Sequence, residues 1–297
     1  MAASSTPPLA ATLAELAQGR AAALTMAPYW WERLPPETTP PPLPAQADVV
    51  IVGSGFTGLA AALTLLRAGR SALVLDAGRP GYGASTRNGG QVGSGNQKFR
   101  VRTLIDMMGQ KKAEALLHEG VAMLNHIETL VQDENIACHF TRCGRFRGAV
   151  QPEHYDAMAR DMEDLKRHAG VDSFMVPRAE QDREIATTFF HGGSVLPQDA
   201  SLHPGLYHAG LSERVQQAGG VLMARTAVTP AHADGTGFVL QPSRRPARAR
   251  AVLLPTNGHR PHVSPFSRQP RVPVTPALLP PAPLPPHHLP DLLPSPR

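Results

Sequence analysis

Residues 48–77 read DVVIVGSGFTGLAAALTLLRAGRSALVLDA, and the hydrophobic period changes twice along them. Val49, Val50, Ile51 and Val52 are an uninterrupted β-branched run, the pattern of a parallel strand covered on both faces. Phe56, Leu59, Ala60, Leu63 and Leu66 then recur at helical spacing, and Gly69 is placed to end that helix. Ser71 to Ala77 returns to strand, with Leu73, Val74 and Leu75 as its apolar centre. The stretch is a complete strand–helix–strand unit of about thirty residues, the length such a unit requires.

Three glycines, Gly53, Gly55 and Gly58, sit between the first strand and the helix, and Asp76 ends the second strand 21 residues beyond Gly55. Each position has a physical task. Gly53 permits a tight turn, Gly55 lets backbone approach a pyrophosphate, and Gly58 lets the helix pack closely on the sheet. Ser54, Phe56 and Thr57 complete the turn, whose amides open the helix and favour negative charge. Asp76, followed by Ala77, is placed to accept hydrogen bonds from ribose hydroxyls, and its carboxylate disfavours a 2′-phosphate. The unit reads as an adenine-dinucleotide site, although the fingerprint alone does not separate FAD from NAD.

Outward from this unit, composition divides the chain. Of 31 prolines in 297 residues, six lie between Pro35 and Pro44 and fourteen from Pro255 onward. Positions 1–240 hold 21 Lys and Arg against 23 Asp and Glu, whereas positions 241–297 hold eight Arg against Asp291 alone. The net charge of +5 is therefore a property of the tail, whose single aromatic residue, Phe266, gives little support to nucleic-acid binding. Cys138 and Cys143 suit a reduced protein better than a disulfide framework, and the scattered histidines give no metal-ligand spacing. No secretory signal or membrane span is evident, since the uncharged run Val49–Leu66 carries the glycine turn; the reading is a cytoplasmic protein.

The remaining pattern predicts a helix over 9–27 and a stiff connector at Pro35–Pro44, with Tyr29, Trp30 and Trp31 anchoring the arm to the body. Residues 98–134 read as mostly helical, with Leu116, Leu117, Met123, Leu124, Ile127, Leu130 and Val131 as the buried stripe. Residues 137–150 look strand-like, 152–169 helical and 193–197 extended. A helix follows His203 and Pro204 and ends at Gly219 and Gly220; Val221–Met223, Phe238–Gln241 and Ala249–Leu254 read as strands.

The loop after the opening unit is more specific. Residues 81–91, GYGASTRNGGQ, resemble the flavin-contacting loop of the D-amino-acid-oxidase-like (DAO) FAD-dependent oxidoreductases, most of all the branch containing gamma-glutamylputrescine oxidoreductase. Tyr29–Glu32 (YWWE), the Leu202–His203–Pro204 turn with the Gly210–Leu211 helix, and Thr256–Asn257–Gly258 are similar to that family too. The resemblance implies FAD as cofactor and an amine or amino acid as substrate, oxidised at its C–N bond by hydride transfer to flavin. It implies cofactor contacts from Gly83, Ala84, Ser85, Thr86, Asn88, Gly89, Gly90 and Gln91, from Val228 through its backbone toward adenine, and from Thr256, Asn257 and Gly258. The glycines would let backbone lie against a flat ring, and the hydroxyl and amide side chains would offer it hydrogen bonds. No catalytic residue is assigned; Arg87 is either a substrate or flavin contact or a structural arginine.

The fold class that follows is α/β, a Rossmann-like FAD-binding domain with an incomplete α+β substrate domain and a proline-rich C-terminal tail. Its expected parts are an N-terminal arm and connector over 1–47, the FAD-binding domain over 48–258 with a partial substrate domain inserted at roughly 98–200, and a disordered tail over 259–297. Relatives in the family run on past this chain's end, Pro255 falls at an expected strand position, and Pro280 and Pro281 disfavour the strand the family has there. Two readings from different classes stay open. One is a flavoenzyme either shortened at its C-terminus or completed by another chain; the other is a catalytically incomplete dinucleotide-binding remnant, or an interaction protein whose tail meets an unknown partner.

Overall fold

The computed structural model describes residues 27–35, 41–94, 99–228, 232–242 and 246–257. Residues 9–26 of the expected helix, residues 36–40 of the Pro35–Pro44 connector and the tail from 259 fall outside these. The opening unit forms as its periodicity dictates: strand β1 at Gln46–Val52, helix α1 at Phe56–Arg67 and strand β2 at Ala72–Leu75. Gly69, at φ +72°, turns the chain after α1.

After β2 the chain leaves this sheet and returns through helix α5 (Pro204–Gln217) to strand β8 (Val221–Met223). The excursion holds β3 (Gln91–Val92), α2 (Val101–Met108), α3 (Gln110–Asp133), β4 (Arg145–Gly148), α4 (Pro152–Ala169), β5 (Phe174–Val176), β6 (Gly193–Leu196) and β7 (Ala200–Ser201). Strands β9 (His232–Ala233), β10 (Phe238–Leu240) and β11 (Ala247–Leu253) complete the order. The main sheet runs β8-β2-β1-β11-β10-β9; its first four strands are parallel, and β10 pairs antiparallel with both β11 and β9. A small antiparallel sheet runs β4-β6-β5, and β3 pairs with β7.

Side-chain alternation along the central strands builds two cores, one on each face of the main sheet. Ile51, Val74 and Leu222 face α1 and α5, packing with Leu59, Leu63, Leu211 and Val215. Val50, Val52, Leu73, Leu75 and Met223 face the other way, against Leu43, Leu240, Ala247 and Ala249. A third cluster unites Val101, Leu104, Ala113, Leu117, Met162, Leu165 and Leu196, from α2, α3, α4 and β6.

Several details depart from the sequence expectation. The helical stretch 98–134 is broken at Gly109, whose φ of +82° ends α2 and begins α3. The stripe of α3 is Ala113, Leu117, Gly120, Leu124 and Val131; Met123 is exposed, one position off that face. Within 137–150 only β4 is strand, because His139 and Gly144 take positive φ and break the pleat. Pro255 lies two residues past the end of β11, so its missing N–H removes no ladder bond. No helix among the described residues is long and apolar enough to cross a membrane.

Candidate functional site

The carboxyl ends of β1 and β11 lie side by side, with Ile51 opposite Leu253, and the turn after β1 meets the chain after β11. In open α/β sheets, ligands bind at such an edge, where neighbouring crossovers diverge. A Cβ placed on Gly53, whose φ is +114°, would lie 3.2 Å from the Pro255 carbonyl oxygen, so only a glycine suits this contact. A Cβ on Gly58 would fall 2.1 Å from the Gly53 oxygen and 3.3 Å from Ile51 Cγ2. Gly58 is therefore what lets α1 start directly on the sheet.

Ser54, fully buried, is the centre of the turn. Its N–H and its hydroxyl donate to Asp76 Oδ2 at 2.8 and 2.6 Å, its hydroxyl oxygen accepts from the Gly81 N–H at 3.3 Å, and its carbonyl meets His208 Nε2 at 2.6 Å. The Gly78 N–H donates to Asp76 Oδ1 at 2.9 Å. Three donors thus occupy the carboxylate expected to face a ribose, leaving Oδ1 as the oxygen with a further acceptor position. Ala77, beside it, is exposed.

Helix α1 begins without a side-chain cap from Gly55. The Phe56 N–H donates to Ser85 Oγ at 3.0 Å, and the same oxygen lies where a Cβ on Gly55 would come within 3.0 Å. The loop over 81–91 thereby lays a hydroxyl on the positive end of α1, where an anion is also favoured. The Phe56 ring packs on Tyr207, and Thr57 is exposed.

The other loop side chains have mixed fates. Thr86 is fully buried, and its hydroxyl donates to the Gly81 carbonyl at 2.5 Å. Asn88 Nδ2 donates to the Ala84 and Ser85 carbonyls at 3.1 Å, while its Oδ1 accepts from the Gly90 N–H at 2.9 Å. Thr86 and Asn88, read from the sequence as cofactor partners, use these polar groups to hold the loop itself. Gly83 and Gly89 have open space where a Cβ would stand, whereas one on Gly90 would strike the Leu202 oxygen at 2.2 Å. Ala84 and Gln91 are exposed, the latter pairing with Ser201 through β3 and β7. Val228 is buried and bridges to Pro242; Thr256 is half-buried and Asn257 exposed, while Gly258 lies outside the described residues.

Two features escaped the sequence reading. His208, buried one helical turn after Pro204, has its pKa pushed down by burial, a shift that the Ser54 carbonyl partly opposes. Only its place in the HPGLYH run hinted at a role. The Tyr29–Arg33 turn was expected to anchor an arm, but not to grip this loop. The Trp31 Nε1–H donates to Thr86 Oγ1 and the Trp30 Nε1–H to the Asn88 carbonyl, each at 2.7 Å. The Arg79 and Arg87 guanidiniums lie over the Trp31 ring, at 4.2 and 4.5 Å from its centroid. Arg87 also donates from Nε to the Tyr82 carbonyl at 2.7 Å, a contact within the loop itself.

Residues 48–294 match the family model described as DAO, FAD dependent oxidoreductase. The chain belongs to the DAO family. Membership implies FAD, and the glycine-lined turn at the head of α1, backed by a carboxylate at the end of β2, has the chemistry to receive a dinucleotide. Among curated proteins, the DAO-family chain is 27% identical over 254 residues to the probable oxidoreductase OrdL of Rhizobium meliloti (strain 1021), covering 82% of this chain and 58% of that one. It is 27% identical over 214 residues to gamma-glutamylputrescine oxidoreductase of Escherichia coli (strain K12), covering 71% and 49%. Among solved structures it resembles glycine oxidase from Geobacillus kaustophilus, with 23% identity, a TM-score of 0.59, and coverage of 71% and 55%. It also resembles L-amino acid deaminase from Proteus vulgaris, with 18% identity, a TM-score of 0.60, and coverage of 73% and 49%. The chain spans about half the length of the curated relatives it matches.

Proposed function

We propose that this chain binds FAD at the carboxyl edge of β1, β2 and β11 and serves an oxidoreductase that oxidises the C–N bond of an amine or amino acid. The observation that carries the proposal is the register of Gly53, Gly55 and Gly58 with Asp76: a turn with no room for side chains, at a helix start, closed by a carboxylate on the next strand. In this reading the backbone from Gly53 to Gly58 holds the pyrophosphate, and Asp76 Oδ1 with the Ala77 backbone holds the ribose. The backbone of Gly83–Gln91 faces the ring system, Val228 faces adenine, and Thr256–Gly258 closes the edge beside Gly53. The substrate class is supported by the resemblance of the 81–91 loop and by a relative named for oxidising gamma-glutamylputrescine.

Bound FAD supplies the hydride acceptor for the carbon bearing the amine. The chain's own contribution is orientation, which for such a transfer matters more than a dedicated acid or base. Ser54 and His208 are buried beneath the loop and Thr86 within it, and burial lowers the His208 pKa, which favours the neutral imidazole. The test is FAD uptake by the purified chain, followed by visible absorbance after dialysis. Wild type should retain one FAD per chain and Gly55→Trp none; a colourless wild type, or a variant that still binds, sinks the reading. Loss of the oxidised-flavin absorbance on adding an amine or amino acid without oxygen would establish the substrate class.

A further inference from the structure

The Tyr29–Arg33 turn touches the dinucleotide loop only from outside, yet its indole N–H groups reach both ends of the segment Thr86–Asn88. It is held from behind as well. The Trp30 ring stands edge-on to His203 at 4.8 Å, and a Cβ on Gly205 would strike the Trp30 carbonyl oxygen at 2.7 Å, so the turn is wedged between the loop and the start of α5. From Trp31 a continuous path of hydrogen bonds runs inward. The indole N–H donates to Thr86 Oγ1, Thr86 donates to the Gly81 carbonyl, the Gly81 N–H donates to Ser54 Oγ, and Ser54 donates to Asp76. A buried chain of this kind fixes each member through the next.

We propose that Trp31 is a positioning residue for FAD: through Thr86 and Gly81 it fixes the loop over 81–91 and the Ser54–Asp76 pair in the geometry the dinucleotide requires. The proposal rests on the reading of this site as an FAD site. Trp31 has no assigned contact with the dinucleotide itself; its indole N–H orients the Thr86 hydroxyl so that Thr86 can donate to Gly81. The paired guanidiniums of Arg79 and Arg87 hold the ring itself, and that contact survives replacement by another aromatic ring.

The experiment measures FAD dissociation constants by equilibrium dialysis, with the melting temperature of each chain before FAD is added. Trp31→Phe keeps the ring and removes the N–H; it should weaken FAD about three- to tenfold, the range of one neutral hydrogen bond. Thr86→Val should weaken it at least as much, Thr86→Ser, which keeps the hydroxyl, should bind more tightly than Thr86→Val, and Trp31→Phe with Thr86→Val should be no weaker than Thr86→Val alone. Variants that melt lower but bind FAD with wild-type affinity would show a merely structural turn and overturn the proposal, as would losses that multiply in the double variant. A wild type that takes up no FAD removes the functional reading and this one together; a wild type that binds FAD beside an equally tight Trp31→Phe removes this one alone.

Discussion

Ser54 and His208 show how closely the turn is bound to the rest of the chain. His208 donates from α5 to the Ser54 carbonyl across 154 positions of sequence, and burial lowers its pKa from the ordinary value of 6.5. The unfolded chain protonates this imidazole as pH falls through about 6.5, whereas the folded chain resists until lower pH. Stability from this group is therefore full above about pH 6.5 and is lost as pH falls toward the folded-state pKa, by at most about 1.4 kcal/mol per pH unit. Urea titrations between pH 7.5 and 5 should show that slope, roughly, in wild type and a shallower one in His208→Gln, which keeps a donor and cannot titrate. Gly58→Ala should destabilise by about 1–3 kcal/mol in the same titrations, because the new methyl group meets the Gly53 oxygen and nothing there can yield. The task of Gly58 was legible from spacing alone, since the turn is local. The engagement of Asp76 by Ser54 and of Thr86 by Trp31 was not, because those partners are fixed by where distant segments dock.

Among the elements, the longer ones were written plainly in their periodicity. Strands β1 and β2 and helices α1, α4 and α5 appear where the apolar spacing and the flanking glycines and prolines put them. Strands β3, β5, β7 and β9 escaped notice, since two or three residues carry no readable alternation and their pairing is imposed by neighbours. The junction of α2 and α3 rests on one backbone conformation. Gly109, at φ +82° and ψ 153°, occupies a region essentially reserved for glycine, with no atom within 4 Å of a Cβ placed there. Gly109→Ala should lower stability by about 1–3 kcal/mol through backbone strain alone, read from the shift in denaturant midpoint with unchanged m-value. The charged pair between α2 and α4 behaves differently. Arg102 reaches from α2 to the buried Asp164 of α4, so Arg102→Ala should cost more than Asp164→Asn, because the first leaves a buried carboxylate unpaired and the second leaves a solvated guanidinium.

At the scale of the molecule, α3 joins two bodies. Its first half contributes Ala113 and Leu117 to the cluster with α2, α4 and β6, while Val131 near its end lies in the core between the main sheet and its helices. An ion pair from Arg67 of α1 to the buried Glu134 secures that end. A helix of this length, about 36 Å, transmits stability between the two cores. FAD bound at the main sheet should therefore raise one common melting transition, with a gain of about 2.7 kcal/mol at a hundredfold excess over Kd. Two separate transitions by circular dichroism, only one moving with FAD, would refute the coupling. The placement of the aromatic turn has an optical consequence. Trp30 and Trp31 are the two tryptophans of the chain and sit side by side against the loop over 81–91, so all of its indole emission comes from one spot. An isoalloxazine arriving there would absorb that light, and the protein's own ultraviolet glow would dim in proportion to occupancy, a built-in gauge that needs no label.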